Sequence, residues 1–194
     1  MLVLFLIAGF AAIGSTGLAQ DIPRPAPLAT LAEAQAAFPG LREPAWHPPG
    51  FIGPAVVIRR EGGAPIIDLS YSHPAGGLEG SWFRWEVAPA SLAPALAPRA
   101  LVRLPERHAY GRVGEGPPPT EADEVQRILP RREIHRGIPV GIVSAPVCAD
   151  AFCERRTRYV AATACDPRVC IRIEGDLREE TALEILLSAF GEGR

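Results

Sequence analysis

The sequence predicts an α+β domain built on an antiparallel sheet, and three observations predict it. Strand-like runs recur between Pro54 and Val87 and again between Arg132 and Glu174, joined by short turns. An Ala-rich segment with helical spacing, Leu28–Phe38, precedes them. An amphipathic stripe closes the chain at Glu179–Phe190 and needs an apolar surface to cover it, which only the sheet offers.

The chain has 194 residues. Leu2 to Ile13 are apolar apart from Gly9, and Gly17 and Ala19 sit three and one positions before a fitting signal-peptidase cut. A signal peptide over residues 1–19 is therefore expected, with cleavage between Ala19 and Gln20. The run is shorter than the roughly 20 residues a bilayer span needs. No Lys or Arg precedes it, where a secretory n-region normally carries charge, so either the true start lies upstream or the free amino terminus suffices. An uncleaved anchor is the alternative to cleavage, and a lipoprotein anchor is not supported, since no Cys lies near the cut. Export implies an extracytoplasmic location, periplasmic or secreted, with no stable transmembrane anchor once the signal is cleaved. Residues 20–194 are then one domain of ordinary size, able to bury a core without a metal or disulfide. The net charge of −2 gives no electrostatic case for nucleic acid or an anionic membrane. Every basic residue is Arg, which fits GC-rich coding and carries no function.

Residues Gln20–Pro27 read as an extended, Pro-rich lead-in. In Leu28–Phe38, Thr30 and Glu33 form a capping box and Pro39-Gly40 stops the helix. Leu41–Gly50 holds three prolines and reads as a rigid loop. Pro54–Arg60 and Pro65–Tyr71 are strands joined by Glu61-Gly62-Gly63-Ala64. In Gly80–Val87, Phe83, Trp85 and Val87 share one face, and Trp82, Arg84 and Glu86 the other.

A Pro- and Ala-rich insertion follows, near residues 88–119, either mobile or holding one short strand at Ala100–Leu104. Thr120–Leu129 reads as a helix capped by Thr120. Arg132–Ala145 is one bent strand or two, broken near Gly137 and Pro139. Arg155–Ala164 and Val169–Glu174 continue a meander, with Val169, Ile171 and Ile173 opposite Cys170, Arg172 and Glu174. Asp176 and Glu179 then match a capping box for the last helix.

The four cysteines form Cys148-x4-Cys153 and Cys165-x4-Cys170. In a reducing compartment this pattern would suggest a four-thiolate zinc site; export favours disulfides. If each pair brackets one turn, the strand between them holds the pairs on the order of 40 Å apart, beyond the ~7 Å Cα separation a disulfide tolerates. Cys148–Cys153 and Cys165–Cys170 are the expected bridges. A redox pair or a metal site is the lesser alternative, and neither a cofactor nor a metal is expected.

Evidence for catalysis is thin. His47, His73, His108 and His135 are scattered singly, without ligand-pair spacing. His73 in Ser-Tyr-Ser-His-Pro lacks a nucleophile elbow. Asp68 shares a face with Ile66 and Ser70, where it meets solvent or an Arg more readily than it serves as a functional carboxylate. Among the tryptophans, Trp46 is a third aromatic to place, Trp85 belongs to the core, and Trp82 is either covered by the insertion or lines a ligand surface, as exposed Trp often does. Trp82 is the one ligand-binding candidate.

The order of segments is informative. LAEAQAAFPGLREPAWHPPGF leads into a strand ending Ile67-Asp68-Leu69-Ser70-Tyr71. Later come Ile134-His135-Arg136-Gly137-Ile138-Pro139-Val140, then Ile171-Arg172-Ile173-Glu174-Gly175 and the helix through Glu180 and Leu183. This order resembles a family of extracytoplasmic bacterial domains of unknown function, found in anti-sigma-factor-like, sporulation-associated and lipoprotein-sorting-like proteins. Two departures are Tyr159, where the family often carries Trp, and the four cysteines. The resemblance implies a curved antiparallel sheet with a short N-terminal helix and a C-terminal helix packed on one face. It implies no catalytic residues. The function expected is a non-enzymatic binding or sensing module of the cell envelope, contacting a protein, peptide or lipid. The alternative is a lipoprotein- or lipid-carrier-like protein with an apolar cavity; a hydrolase ranks third.

Overall fold

Two glycines start the sheet. β1 (Ile52–Glu61) and β2 (Ala64–Ser72) pair antiparallel outward from Glu61 and Ala64. Gly62 and Gly63 make the turn with φ of +57° and +84°, the left-handed backbone a two-residue hairpin loop demands. The computed structural model describes residues 28–74, 81–104, 109–112, 127–148 and 156–191.

β3 (Trp82–Pro89) lies between β2 and β10 (Val169–Gly175). β9 (Arg156–Cys165), β8 (Ile138–Cys148) and β7 (Arg131–His135) follow, giving seven consecutive antiparallel strands in the order β1-β2-β3-β10-β9-β8-β7. Three short strands, β4 (Leu101–Leu104), β5 (Ala109–Arg112) and β6 (Arg127–Ile128), attach beyond β8 through one parallel pairing, Tyr110 with Val147.

The central strand explains the layering. All seven residues of β10 are buried. Alternation sends Val169, Ile171 and Ile173 into a cluster with Phe83, Trp85 and Val87, and sends Cys170, Arg172 and Glu174 to the opposite face. α1 (Leu31–Ala37) and α3 (Glu179–Ser188) cover the apolar side. α1 starts at the expected capping box: the Glu33 amide donates to Thr30 Oγ1 at 3.2 Å, and the Thr30 amide donates to Glu33 Oε2 at 2.7 Å. α3 buries Ala182, Leu183, Ile185, Leu186 and Leu187. Each such Leu or Ile contributes about 1.5–3 kcal/mol relative to exposure.

Several sequence expectations need correction. Asp176 does not cap α3, whose N-cap is Arg178 with no side-chain hydrogen bond. Asp176 instead accepts from the Ser81 hydroxyl at 2.5 Å and the Trp82 amide at 2.8 Å. The start of β3 lies beside it with donors to satisfy, which sequence spacing does not reveal. The end of the segment expected as a helix over Thr120–Leu129 is β6, paired to β4, with Leu129 exposed; residues 120–126 lie outside the described residues.

The insertion begins as part of the fold. A 3-10 turn (Ala90–Leu92) runs into α2 (Ala93–Leu96), whose buried Leu96 offers its carbonyl to the Thr163 hydroxyl at 2.6 Å. The short strand expected at Ala100–Leu104 is β4, and β5 is a second. The expected signal segment, His108 and the Cys148–Cys153 bridge lie outside the described residues.

Candidate functional site

The face of the sheet opposite α1 and α3 concentrates charge. Period two places Arg59 of β1, Asp68 of β2, Arg84 and Glu86 of β3, and Arg172 and Glu174 of β10 there, and the strand register lines them up. Asp68 pairs with Glu86, Glu86 with Arg172, and Arg84 with Glu174 across neighbouring strands. Arg59 donates to Asp68 Oδ2 at 2.9 Å and to Glu86 Oε1 at 2.5 Å. Arg172 lies 3.3 Å from Glu86 and bonds Glu174, which also accepts from Arg84 and, at 3.0 Å, from the Tyr159 hydroxyl.

Three arginines thus balance three acids. Burial pushes the Asp68 carboxyl above its ordinary value, although the Arg59 hydrogen bond pulls the other way. Burial opposes the charge on Arg172, but Glu174 and Glu86 outweigh it and hold the guanidinium more firmly protonated. Each carboxylate of the network faces at least one guanidinium. The chemical effect of the network is to fix register, because a slip would strand buried charges.

The end of the sheet where β2 stops and β3 starts is built differently. The loop after α1 is fastened at three points: the Trp85 indole donates to the Arg42 carbonyl at 2.8 Å, Arg42 pairs with Asp166 at 2.6 Å, and the Ala45 amide donates to Ser188 Oγ at 3.1 Å. These anchors deliver His47, Pro48, Pro49 and Phe51 to the sheet end. There Tyr71 stacks on Phe83 at 4.5 Å between centroids, and Phe51 meets Phe83 and His73 edge-on at 5.1 and 5.8 Å. Burial, with Glu43 adding to it, pushes the Tyr71 phenol up to about 12, so its hydroxyl stays neutral.

A cleft of about 400 Å³ opens between this loop and the junction of β10 with α3. Pro48, Pro49, Phe51 and Leu177 form its apolar walls; His73, Arg178 and Thr181 supply its polar groups. Gly175 sets how closely the junction approaches, because a Cβ there would lie 2.4 Å from the Trp82 carbonyl oxygen.

The residues singled out from sequence are dispersed by the fold. Trp82 sits at the same end as the cleft but on the charged face, 39% exposed, and its ring does not line the cleft. Trp46 is also exposed, and Trp85 is fully buried. Asp68 pairs with an arginine, the blander of its two readings. His47 lies within hydrogen-bonding distance of the Pro48 carbonyl at 3.0 Å, and His135 pairs with Glu133 at 2.7 Å. Among the described histidines, His73 alone lines the cleft.

Cys165 and Cys170 form the expected disulfide, directly across the β9–β10 register with Cα atoms 4.1 Å apart. Cys148 pairs with Arg156 at the opposite end of β9, a strand length of about 30 Å away. No metal-ligating cluster of three His, Cys, Asp or Glu occurs among the described residues. None of their helices is long and apolar enough to cross a membrane. Sequence reasoning missed the cleft because the Pro48–Phe51 loop, His73 and Arg178 are far apart in the chain; the Pro-rich loop was the available signal.

Comparison with family models, curated proteins and solved structures finds no match to this chain.

Proposed function

We propose that this protein is a non-enzymatic binding module of the cell envelope, and that it takes its ligand at the end of the sheet where β2, β3 and the β10–α3 junction meet. The open cleft lined by Phe51, His73 and Arg178 carries this reading. Its volume lies within the range of small-ligand sites, and it joins apolar walls to a few polar groups, the usual make-up of such sites. The charged face argues against catalysis, since its acids are matched by arginines. The apolar face is occupied by α1 and α3, which weighs against a lipid carrier with an internal cavity. The envelope location rests on the expected signal segment, the resemblance, and a disulfide that favours an oxidising compartment. Trp82, exposed at the same end, belongs to this reading as a flanking contact for a larger partner.

Amide NMR of the disulfide-intact protein against pools of fragments and short peptides tests the reading. Shifts should cluster at Phe51, His73, Leu177 and Thr181, with no turnover of chromogenic ester, glycoside or peptide substrates. Saturable turnover that disappears in His73→Ala would replace it with a hydrolase.

A further inference from the structure

Among the described residues, β7 pairs with β8 on one side and with no strand on the other. We propose that this open edge adds an extended segment of a partner protein, one that carries an acidic residue on each side of an apolar one. No residue of β7 lines the cleft, so this surface is separate from the site described above.

The turn decides which backbone groups the edge offers. Arg136 and Gly137, with φ of +51° and +78°, form a two-residue loop closed by His135 and Ile138. In such a hairpin the closing pair exchanges both ladder bonds, and every second pair after it does the same. Glu133 and Arg131 therefore bond to β8, while the N–H and C=O groups of Arg132 and Ile134 point away from it. Pro139, which has no N–H, stands opposite Ile134, in keeping with that alternation. Two donors and two acceptors thus line the edge with the spacing that an added strand uses.

The side chains select what is added. Arg131, Glu133 and His135 satisfy one another on the side of α3: Arg131 bonds Glu133 and Glu179, and His135 lies 2.7 Å from Glu133. The other face carries Arg132 and Ile134. Ile134 is 76% exposed, the most of any large apolar side chain among the described residues. Arg132 and, at the loop, Arg136 are exposed and make no ion pair among the described residues. Arg136 keeps its charge at the tip in a left-handed backbone conformation that side chains other than Gly, Asn and Asp resist. Charge on an edge strand discourages unwanted pairing. Here the unmatched charge has one sign, so a second copy would set these cations against each other, whereas acids on an incoming strand would meet them. An apolar residue opposite Ile134 would take it out of water.

The test titrates the full, disulfide-intact chain with acetylated and amidated Thr-Glu-Thr-Val-Thr-Glu-Thr, which has the same spacing in either strand direction. Amide NMR should show shifts and slowed exchange at Arg132 and Ile134. The analogue with Lys for both Glu should bind at least fivefold more weakly, the effect of two cross-strand charge pairs. Ile134→Pro should abolish binding, because it removes an outward N–H that β8 does not use. Arg132→Gln with Arg136→Gly should make the two peptides bind alike, and this variant keeps the hairpin because Gly accepts the φ of the turn.

Equal binding of the two peptides to the parent, binding that survives Ile134→Pro, or no shift in β7 at millimolar peptide would each overturn the proposal. Exchange at Ile134 that slows with protein concentration alone would make the occupant a second copy, which overturns it too. The cleft is read separately at Phe51 and Thr181, so none of these results decides the binding reading above.

Discussion

Replacing Arg172 with Met removes a cation from the middle of the charged face while keeping much of its volume. The Arg172 side chain is only 10% exposed and faces Glu86 and Glu174, whose side chains are 2% and 1% exposed. Removing one partner of a buried ion pair costs about 3–5 kcal/mol, because the remaining charge stays out of water. Here the carboxylates keep other partners: Arg59 for Glu86, and Arg84 with the Tyr159 hydroxyl for Glu174. The expected loss is therefore near the lower limit, about 3 kcal/mol. With a urea slope of about 2 kcal/mol per molar, the unfolding midpoint should fall by about 1.5 M. The assay is urea unfolding followed by far-ultraviolet circular dichroism at pH 7 without reductant. The double variant Arg172→Met, Glu174→Leu should recover part of the loss, since an apolar pair can replace a buried ionic one. A single variant within 0.5 kcal/mol of the parent, or a double variant less stable than the single, would refute the network as drawn.

Three further outcomes follow from other parts of the structure. Reducing Cys165–Cys170, or replacing both with Ala, should cost about 2 kcal/mol by the entropy of so short a loop, measured by the same unfolding assay. Thr30→Ala should cost about 1 kcal/mol and raise amide exchange in α1, leaving β1–β3 protection intact. Glu179 is lowered below its ordinary 4.5: burial works against this, but hydrogen bonds from Arg131 and Ser144 prevail. Its stabilisation is thus present above pH 4.5 and fades as pH falls through the lower folded value. Glu179→Gln should be destabilised by about 1 kcal/mol or less at pH 7, given the exposure of the pair, and the gap to the parent should close in acid; a gap that widens below pH 4 contradicts the assignment.

Local rules made much of the fold legible. The Gly62-Gly63 turn, the Thr30–Glu33 box and the alternation of Ile171, Arg172 and Ile173 each act within a few residues. The disulfide was legible for the same reason, since a five-residue separation in a hairpin fixes which cysteines can meet. What escaped depends on neighbours distant in sequence. Alternation places Glu86 only on the face opposite Phe83 and Trp85; its partners appear when β10 brings Arg172 beside it and β1 brings Arg59. Asp176 looks like a helix cap because its spacing to Glu179 is right, whereas the amide it satisfies belongs to Trp82. The residues of the cleft come from three segments joined only by tertiary packing, so no pattern in the chain announces them.

The β9–β10 register underlies both faces of the sheet and the position of the junction that forms the cleft. Tryptic digestion of the unreduced, alkylated protein tests it most directly, because Arg158, Arg168 and Arg172 place Cys165 and Cys170 on separate fragments. The account predicts that Tyr159–Arg168 and Val169–Arg172 travel as one species and part only on reduction. Either fragment found alkylated, or joined to one that carries Cys148 or Cys153, would contradict it.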